Sequence, residues 1–196
     1  AGGHTCLPDT ELVARAAALL SAPTAEITRL LDELVLFKHL FLDTVENQRF
    51  ISLPGLRKAE MDIASRLLAL RGASQQFLPG HITGRIRAFE QAQRISFSQT
   101  QRKAVETAAE QGLCVITGGP GTGKTTLINC LIQVLGADSK IVLAAPTGRA
   151  AKRMSEACER EASTIHRLLQ YGGEEGVFQV NQDNPLDSDC VIVDEI

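Results

Sequence analysis

At 196 residues, with 44% apolar and 22% charged side chains, the chain has an ordinary globular composition and room for one domain or two small ones. A net charge of −3 supplies no global basic field, and no apolar stretch approaches the roughly 18 residues that span a bilayer. Only 4% of residues are aromatic, so the core has to be built from Leu, Ile, Val and Ala.

The five cysteines (Cys6, Cys114, Cys130, Cys158, Cys190) are odd in number, widely spread and without a C-x-x-C pair. Cys114 and Cys190 sit in strand-like apolar runs, where cysteine packs as a small hydrophobe. That argues for a reducing compartment and against disulfides or a zinc site. Asp9, Glu11 and Arg15 come before any useful apolar run, so the start does not read as a signal peptide. A cytoplasmic chain is expected.

In chain order, "DTELVARAAALL" (9–20) has helical composition. "TAEITRLLDELV" follows, with Thr24 as the N-cap and Ile27, Leu30, Leu31 and Leu34 on one face. Two short apolar runs flank "ENQR" and predict a hairpin, closed by Pro54-Gly55. A third helix is expected from about Leu56 to Leu70, stopped by Gly72. This order fits a small winged-helix-like module, and equally a generic α+β packing domain. "FLPGHITGRIRAFEQAQR" reads as a connector ending in a short helix.

A new unit is expected from about residue 96. Ser98 and Gln101 have capping-box spacing, opening a helix that runs to about Gln111 and stops at Gly112. "LCVITG" predicts a strand, "GPGTGKTTLINCLIQVLG" a loop entering a helix, "KIVLAA" a strand and "TGRAAKRMSEAC" a helix. "STIHRLLQ" predicts a short helix capped by Ser163 or Thr164, and a Gly-rich polar excursion from Tyr171 to Asp189 leads to the final strand, "CVIVDEI". Strands alternating with helices mean a parallel sheet, so the fold class is α/β, with a mainly α domain over 1–95 and a P-loop domain over 96–196.

The chemistry starts at "GGPGTGKT", which satisfies G-x-x-x-x-G-K-[ST] through Gly118, Gly123, Lys124 and Thr125, after an apolar run and before a helix. Glycines let the backbone wrap a polyphosphate, so that Gly119, Pro120, Gly121, Thr122, Gly123, Lys124, Thr125 and Thr126 are the nucleotide-binding candidates. Lys124 supplies charge at the β/γ-phosphates, and the Thr125 hydroxyl is a ligand for Mg²⁺. Asp194, at the end of the last apolar run, is the second metal candidate, and Glu195 the group that orients or deprotonates the attacking water. A chain that stops on these acids reads as a fragment.

"APTGRAAKRM" puts Arg149, Lys152 and Arg153 on neighbouring faces of one helical turn beside a strand end, a phosphate-backbone grip or a solvated face with a Lys152–Glu156 ion pair. "STIHRLL" offers His166 and Arg167.

Together, "ITGGPGTGKTT", "APTGRAAKRM", "ASTIHRLL" and "VIVDEI" resemble the first motor domain of RecD/TraA-type superfamily 1 DNA helicases, closely over 96–196. "GHTCLP" and "FISLPGLRKAE" resemble, more weakly, the module before the motor in the RecD-like members. The resemblance implies a 5′-to-3′ DNA helicase of repair or recombination using ATP and Mg²⁺, acting on single-stranded DNA, with helicase–nuclease subunits as possible partners. It also implies an adenine-reading role for Gln101, which competes with the capping box for the same side chain, and DNA contact by Thr147, Gly148, Arg149, Ala150 and His166. The arginine that reaches the γ-phosphate from a second motor domain has no counterpart in these residues. The alternatives are a P-loop kinase or GTPase of another class, and a non-enzymatic DNA- or protein-binding module.

Overall fold

The structure, a computed structural model, describes residues 3–72, 79–119, 121–172 and 176–194. Its contacts divide the chain into two compact units, Ala1–Leu70 and Arg71–Ile196.

In the first unit, β1 (Cys6–Pro8) leads into α1 (Asp9–Leu20) and α2 (Thr24–Leu36). The hairpin β2 (Phe41–Val45) and β3 (Gln48–Ser52) follows, then α3 (Pro54–Gly72). The sheet is antiparallel in the order β1-β3-β2. Glu46 and Asn47 form the two-residue turn with φ of 50° and 65°, the left-handed pair that matches strand twist. Ile27 and Leu31 are buried on α2, while Leu30 and Leu34 remain 40% and 42% exposed.

Three details differ from expectation. Thr24 is the first residue inside α2, and Pro23 occupies the cap without a side-chain bond. Pro54-Gly55 opens α3 rather than closing the hairpin, because proline's fixed φ suits the first helical turn, whose N–H groups have no partner. The short strand β1, three residues long, carries too little pattern to be read from sequence.

In the second unit, α4 (Pro79–Gln93) is a full helix, and Gly84 lies inside it. The predicted connector was wrong because Ile82, Ile86 and Phe89 sit at i, i+4 and i+7 and are all buried. They join Phe97, Val105, Leu127, Cys130, Leu131, Val134 and Leu135 in one core with α5 (Gln99–Glu110) and α6 (Lys124–Leu135). Packing therefore assigns α4 to the P-loop unit, and the compact-unit boundary falls at residue 70 rather than 95.

The remaining elements are β4 (Ile141–Ala145), α7 (Gly148–Cys158), β5 (Ala162–Thr164), α8 (Ile165–Leu168), the small hairpin β6 (Tyr171–Gly172) and β7 (Val177–Phe178), and β8 (Cys190–Val193). The sheet is parallel in the order β5-β4-β8, with Ala145 beside Thr164 and Ala144 beside Val193. The expected strand over 113–118 does not join it. Ile116 packs against the core while Val115 is 80% exposed, so the apolar alternation is present without a ladder. Hydrophobic pattern reports which side chains turn inward; it does not supply a partner strand.

Candidate nucleotide-binding site

The site is built on the entry to α6. The helix begins at Lys124, and its N-cap, Gly123, has φ of 81° and no side chain to bond the first-turn N–H groups. By contrast Ser98, Thr147 and Thr164 cap α5, α7 and α8 with their hydroxyls. The α6 N-terminus thus keeps its donors and its partial positive charge for a ligand. Gly121 (φ 73°) and Gly123 both adopt backbone that a side chain would strain. At Gly118 a Cβ would lie 2.7 Å from Thr122 Oγ1.

The loop is folded on itself. Thr122 Oγ1 donates to the Gly119 carbonyl at 2.9 Å. Lys124 Nζ donates to the carbonyls of Gly118 at 2.6 Å and Gly119 at 2.9 Å, so the ammonium is turned onto the loop rather than into open solvent. Gln101 uses both ends of its amide: Oε1 accepts from Ser98 N at 2.8 Å in the capping box, and Nε2 donates to the Thr122 carbonyl at 3.1 Å. The cap and the reach toward the loop therefore coexist in one side chain.

A polyphosphate fits this cradle by the chemistry of its donors: an ammonium held over the loop, glycine backbone without Cβ atoms, and an uncapped helix start. Thr125 is exposed on the first turn of α6. Thr126 lines a cleft of about 560 Å³ with Phe89, Asn129, Cys158 and Arg160. That cleft shares only Thr126 with the loop and contains neither Lys124 nor Asp194, so the loop rather than the cleft is the candidate nucleotide site. Pro120 and Glu195 lie outside the described residues.

A second group of candidates shares the C-terminal edge of the parallel sheet. β4 leads to Thr147, Gly148 and Arg149, all exposed at the start of α7, with the Thr147 hydroxyl accepting from Ala150 N at 3.2 Å. β5 leads to Thr164, whose hydroxyl accepts from Arg167 N at 3.2 Å, and to exposed His166. β8 leads to Asp194, whose backbone N–H donates to the Ala144 carbonyl at 3.0 Å. Lys152 and Glu156 form the i, i+4 pair at 3.9 Å with both side chains well exposed, so that pair contributes little.

Sequence reasoning missed two features. His166 packs edge-on to Tyr171 (centroids 5.4 Å apart) and against Phe178 (5.9 Å), a cluster whose only sequence signal is two aromatics bracketing a Gly-rich tip. Glu90 on α4 is buried, accepts from Phe97 N at 2.6 Å and binds the Arg102 guanidinium at 3.0 Å. The Phe97 N–H bond, with Arg102 behind it, holds the Glu90 carboxyl below its ordinary value against the opposing effect of burial.

Comparison with known proteins sets these sites in context. Residues 101–196 match the model of the AAA domain family. The chain is 37% identical to the ATP-dependent RecD2 DNA helicase of Deinococcus radiodurans over 149 residues, covering 74% of this chain and 20% of that protein. It is 39% identical to the RecBCD enzyme subunit RecD of Mycobacterium tuberculosis over 120 residues, covering 48% of this chain and 20% of that one. The chain is thus similar to RecD-like helicases over part of their length. The ATP-dependent DNA helicase dda of Enterobacteria phage T4 is 40% identical over 88 residues, covering 41% of this chain and 20% of the phage protein. The RecD-like chain thus spans about one fifth of the length of these relatives. Its AAA match starts at Gln101, the residue that joins the α5 cap to the P-loop.

Proposed function

We propose that this RecD-like chain is part of an ATP-dependent DNA helicase that moves 5′ to 3′ on single-stranded DNA in repair or recombination. The observation that carries the reading is the edge of the parallel sheet. There the strand ends bearing Thr147, His166 and Asp194 lie side by side, in the same compact unit as the glycine loop and Lys124. Ligands of open α/β sheets bind at the carboxyl ends of the strands.

In this reading Gly119 to Thr126 hold the polyphosphate, with Lys124 exchanging its two carbonyl partners for phosphate oxygens. Thr125 and Asp194 hold Mg²⁺, and Glu195 orients the water. ATP with Mg²⁺, when bound, supplies the phosphoryl group and the charge neutralisation its transfer needs. Gln101 reads adenine with the second N–H and the second oxygen lone pair of its amide, keeping its bonds to Ser98 and Thr122. Thr147, Gly148, Arg149 and His166 contact the DNA. The name of the Mycobacterium tuberculosis relative, a RecBCD enzyme subunit, supports partner subunits, and we assign them to a helicase–nuclease complex. Among the described residues no helix is long and apolar enough to cross a membrane. The cytoplasm is the compartment in which a helicase of this kind would meet its DNA.

The test is calorimetric titration of Mg-ATP into the chain and into Lys124→Ala. Binding that Lys124→Ala weakens at least tenfold, with an unchanged melting curve, is expected. Equal dissociation constants in two well-folded proteins would remove the P-loop assignment.

A further inference from the structure

We infer that Glu90, on a helix upstream of every nucleotide-binding motif, is a positioning residue for the P-loop. It acts through a line of hydrogen bonds, joined by the Phe97–Ser98 peptide link, that ends at the Thr122-Gly123 turn. The inference rests on the proposed nucleotide site and adds to it a control point on α4.

The line starts at a carboxylate that has little contact with water: the Glu90 side chain is 8% exposed. Its Oε1 accepts from Phe97 N at 2.6 Å and from Arg102 Nε and Nη2 at 3.2 and 3.0 Å. One acid therefore fixes both the last turn of connector before α5 and the first turn of α5. Phe97 is held from its other side by stacking on Phe89, one residue before Glu90, with ring centroids 6.0 Å apart. The next residue, Ser98, is the N-cap: its N–H donates to Gln101 Oε1 at 2.8 Å, and its Oγ accepts from Gln101 N at 3.2 Å. These two bonds fix the Gln101 side chain, whose Nε2 then donates to the Thr122 carbonyl at 3.1 Å. A Cβ on Gly123 would come within 3.4 Å of that same Nε2, so the amide lies against the residue that opens α6.

Each link has a physical reason to transmit displacement. A buried carboxylate accepting three charge-assisted or backbone bonds has little freedom to move. A capping box closes a small ring between backbone and side chain and admits one orientation of the glutamine amide. The loop it reaches contains glycines in left-handed backbone and is folded on itself by the Thr122 hydroxyl and the Lys124 ammonium. The Gln101 contact at Thr122 ties this self-folded loop to the start of α5 when no phosphate is present.

The alternative is that Glu90 only fastens α4 to α5. The two roles separate in a double-mutant cycle on the whole chain, using Mg-ADP and inorganic pyrophosphate as ligands and calorimetry as the readout. Glu90→Gln keeps the size and one acceptor but loses the charge that draws Phe97 N–H and Arg102. It is expected to weaken both ligands roughly three- to tenfold. Gln101→Ala is expected to weaken them at least as much, and the double variant no further than Gln101→Ala alone, because both act on one line. In ¹⁵N-correlated spectra without ligand, Glu90→Gln should shift the Gln101 side-chain amide and the Gly123 backbone amide. Arg85→Gln, which removes a different α4 contact (the Arg85 guanidinium to the Val134 carbonyl), should leave both resonances in place. If the wild-type chain binds both ligands and Glu90→Gln binds them equally, or the two effects add, Glu90 is a fastening of α4 alone and the inference falls while the P-loop reading stands. If the wild-type chain binds neither ligand, the nucleotide reading fails and the inference with it.

Discussion

The loop's tightest contact makes Gly118→Ala the sharpest probe of its geometry. A methyl group there would sit 2.7 Å from Thr122 Oγ1 and 3.5 Å from Thr122 Cβ. Threonine has one rotatable side-chain bond, so relief requires moving the hydroxyl off the Gly119 carbonyl, to which it now donates at 2.9 Å. The lost hydrogen bond costs about 0.5–1.5 kcal/mol, and an off-rotamer side chain adds about the same. A total of about 1–3 kcal/mol falls on a surface loop that opens locally, so little of it should appear in the global melting temperature. It should appear in nucleotide binding, as a roughly five- to hundredfold weaker affinity for Mg-ADP by calorimetry. Thr122→Ala removes the obstructing oxygen. The double variant should therefore bind about as well as Thr122→Ala alone, a non-additive pair. Wild-type affinity in Gly118→Ala, or simple additivity with Thr122→Ala, would refute this account of the loop.

Three further outcomes follow, the first from the structure and the other two from the proposed function. The folded Glu90 carboxyl titrates below its ordinary 4.5, so the stability it adds is complete above that pH and is lost as the pH falls through the folded value. Denaturant titrations should show wild type and Glu90→Gln converging as the pH drops below about 4.5 and separated above it. In the full-length protein Arg149→Ala should lower single-strand affinity and reduce the slope of log K against log salt by about 0.7, measured by fluorescence anisotropy; an unchanged slope would return Arg149 to a solvated face. Glu195→Gln in that protein should abolish turnover while sparing ATP binding, and retained hydrolysis would place the water-orienting group elsewhere.

What the sequence disclosed divides by physical cause. The P-loop, the α5 capping box and the strand ending in Asp194 were legible because each is a local rule: glycine backbone, a hydroxyl three residues before a glutamine, an apolar run before an acid. Helix α4 is marked by local pattern as well, since Ile82, Ile86 and Phe89 keep helical spacing across Gly84, and Pro79-Gly80, a common turn signal, opens the helix here. The 113–118 run shows the limit of pattern, because its inward and outward alternation is correct and only a tertiary partner decides whether it joins a sheet. Contacts between distant residues left no local trace. Glu90 and Arg102 lie on different helices, and nothing in either segment announces the pair. Nor does local sequence show that Gln101 both caps α5 and reaches the Thr122 carbonyl, one bond from each end of its amide.

The central claim is that the Lys124 loop powers movement on DNA, and the most direct measurement is steady-state ATP hydrolysis by the full-length protein with and without single-stranded DNA. The account predicts hydrolysis that rises when single-stranded DNA is added and disappears in Lys124→Ala. Turnover indifferent to DNA, or turnover that survives in Lys124→Ala, would contradict it.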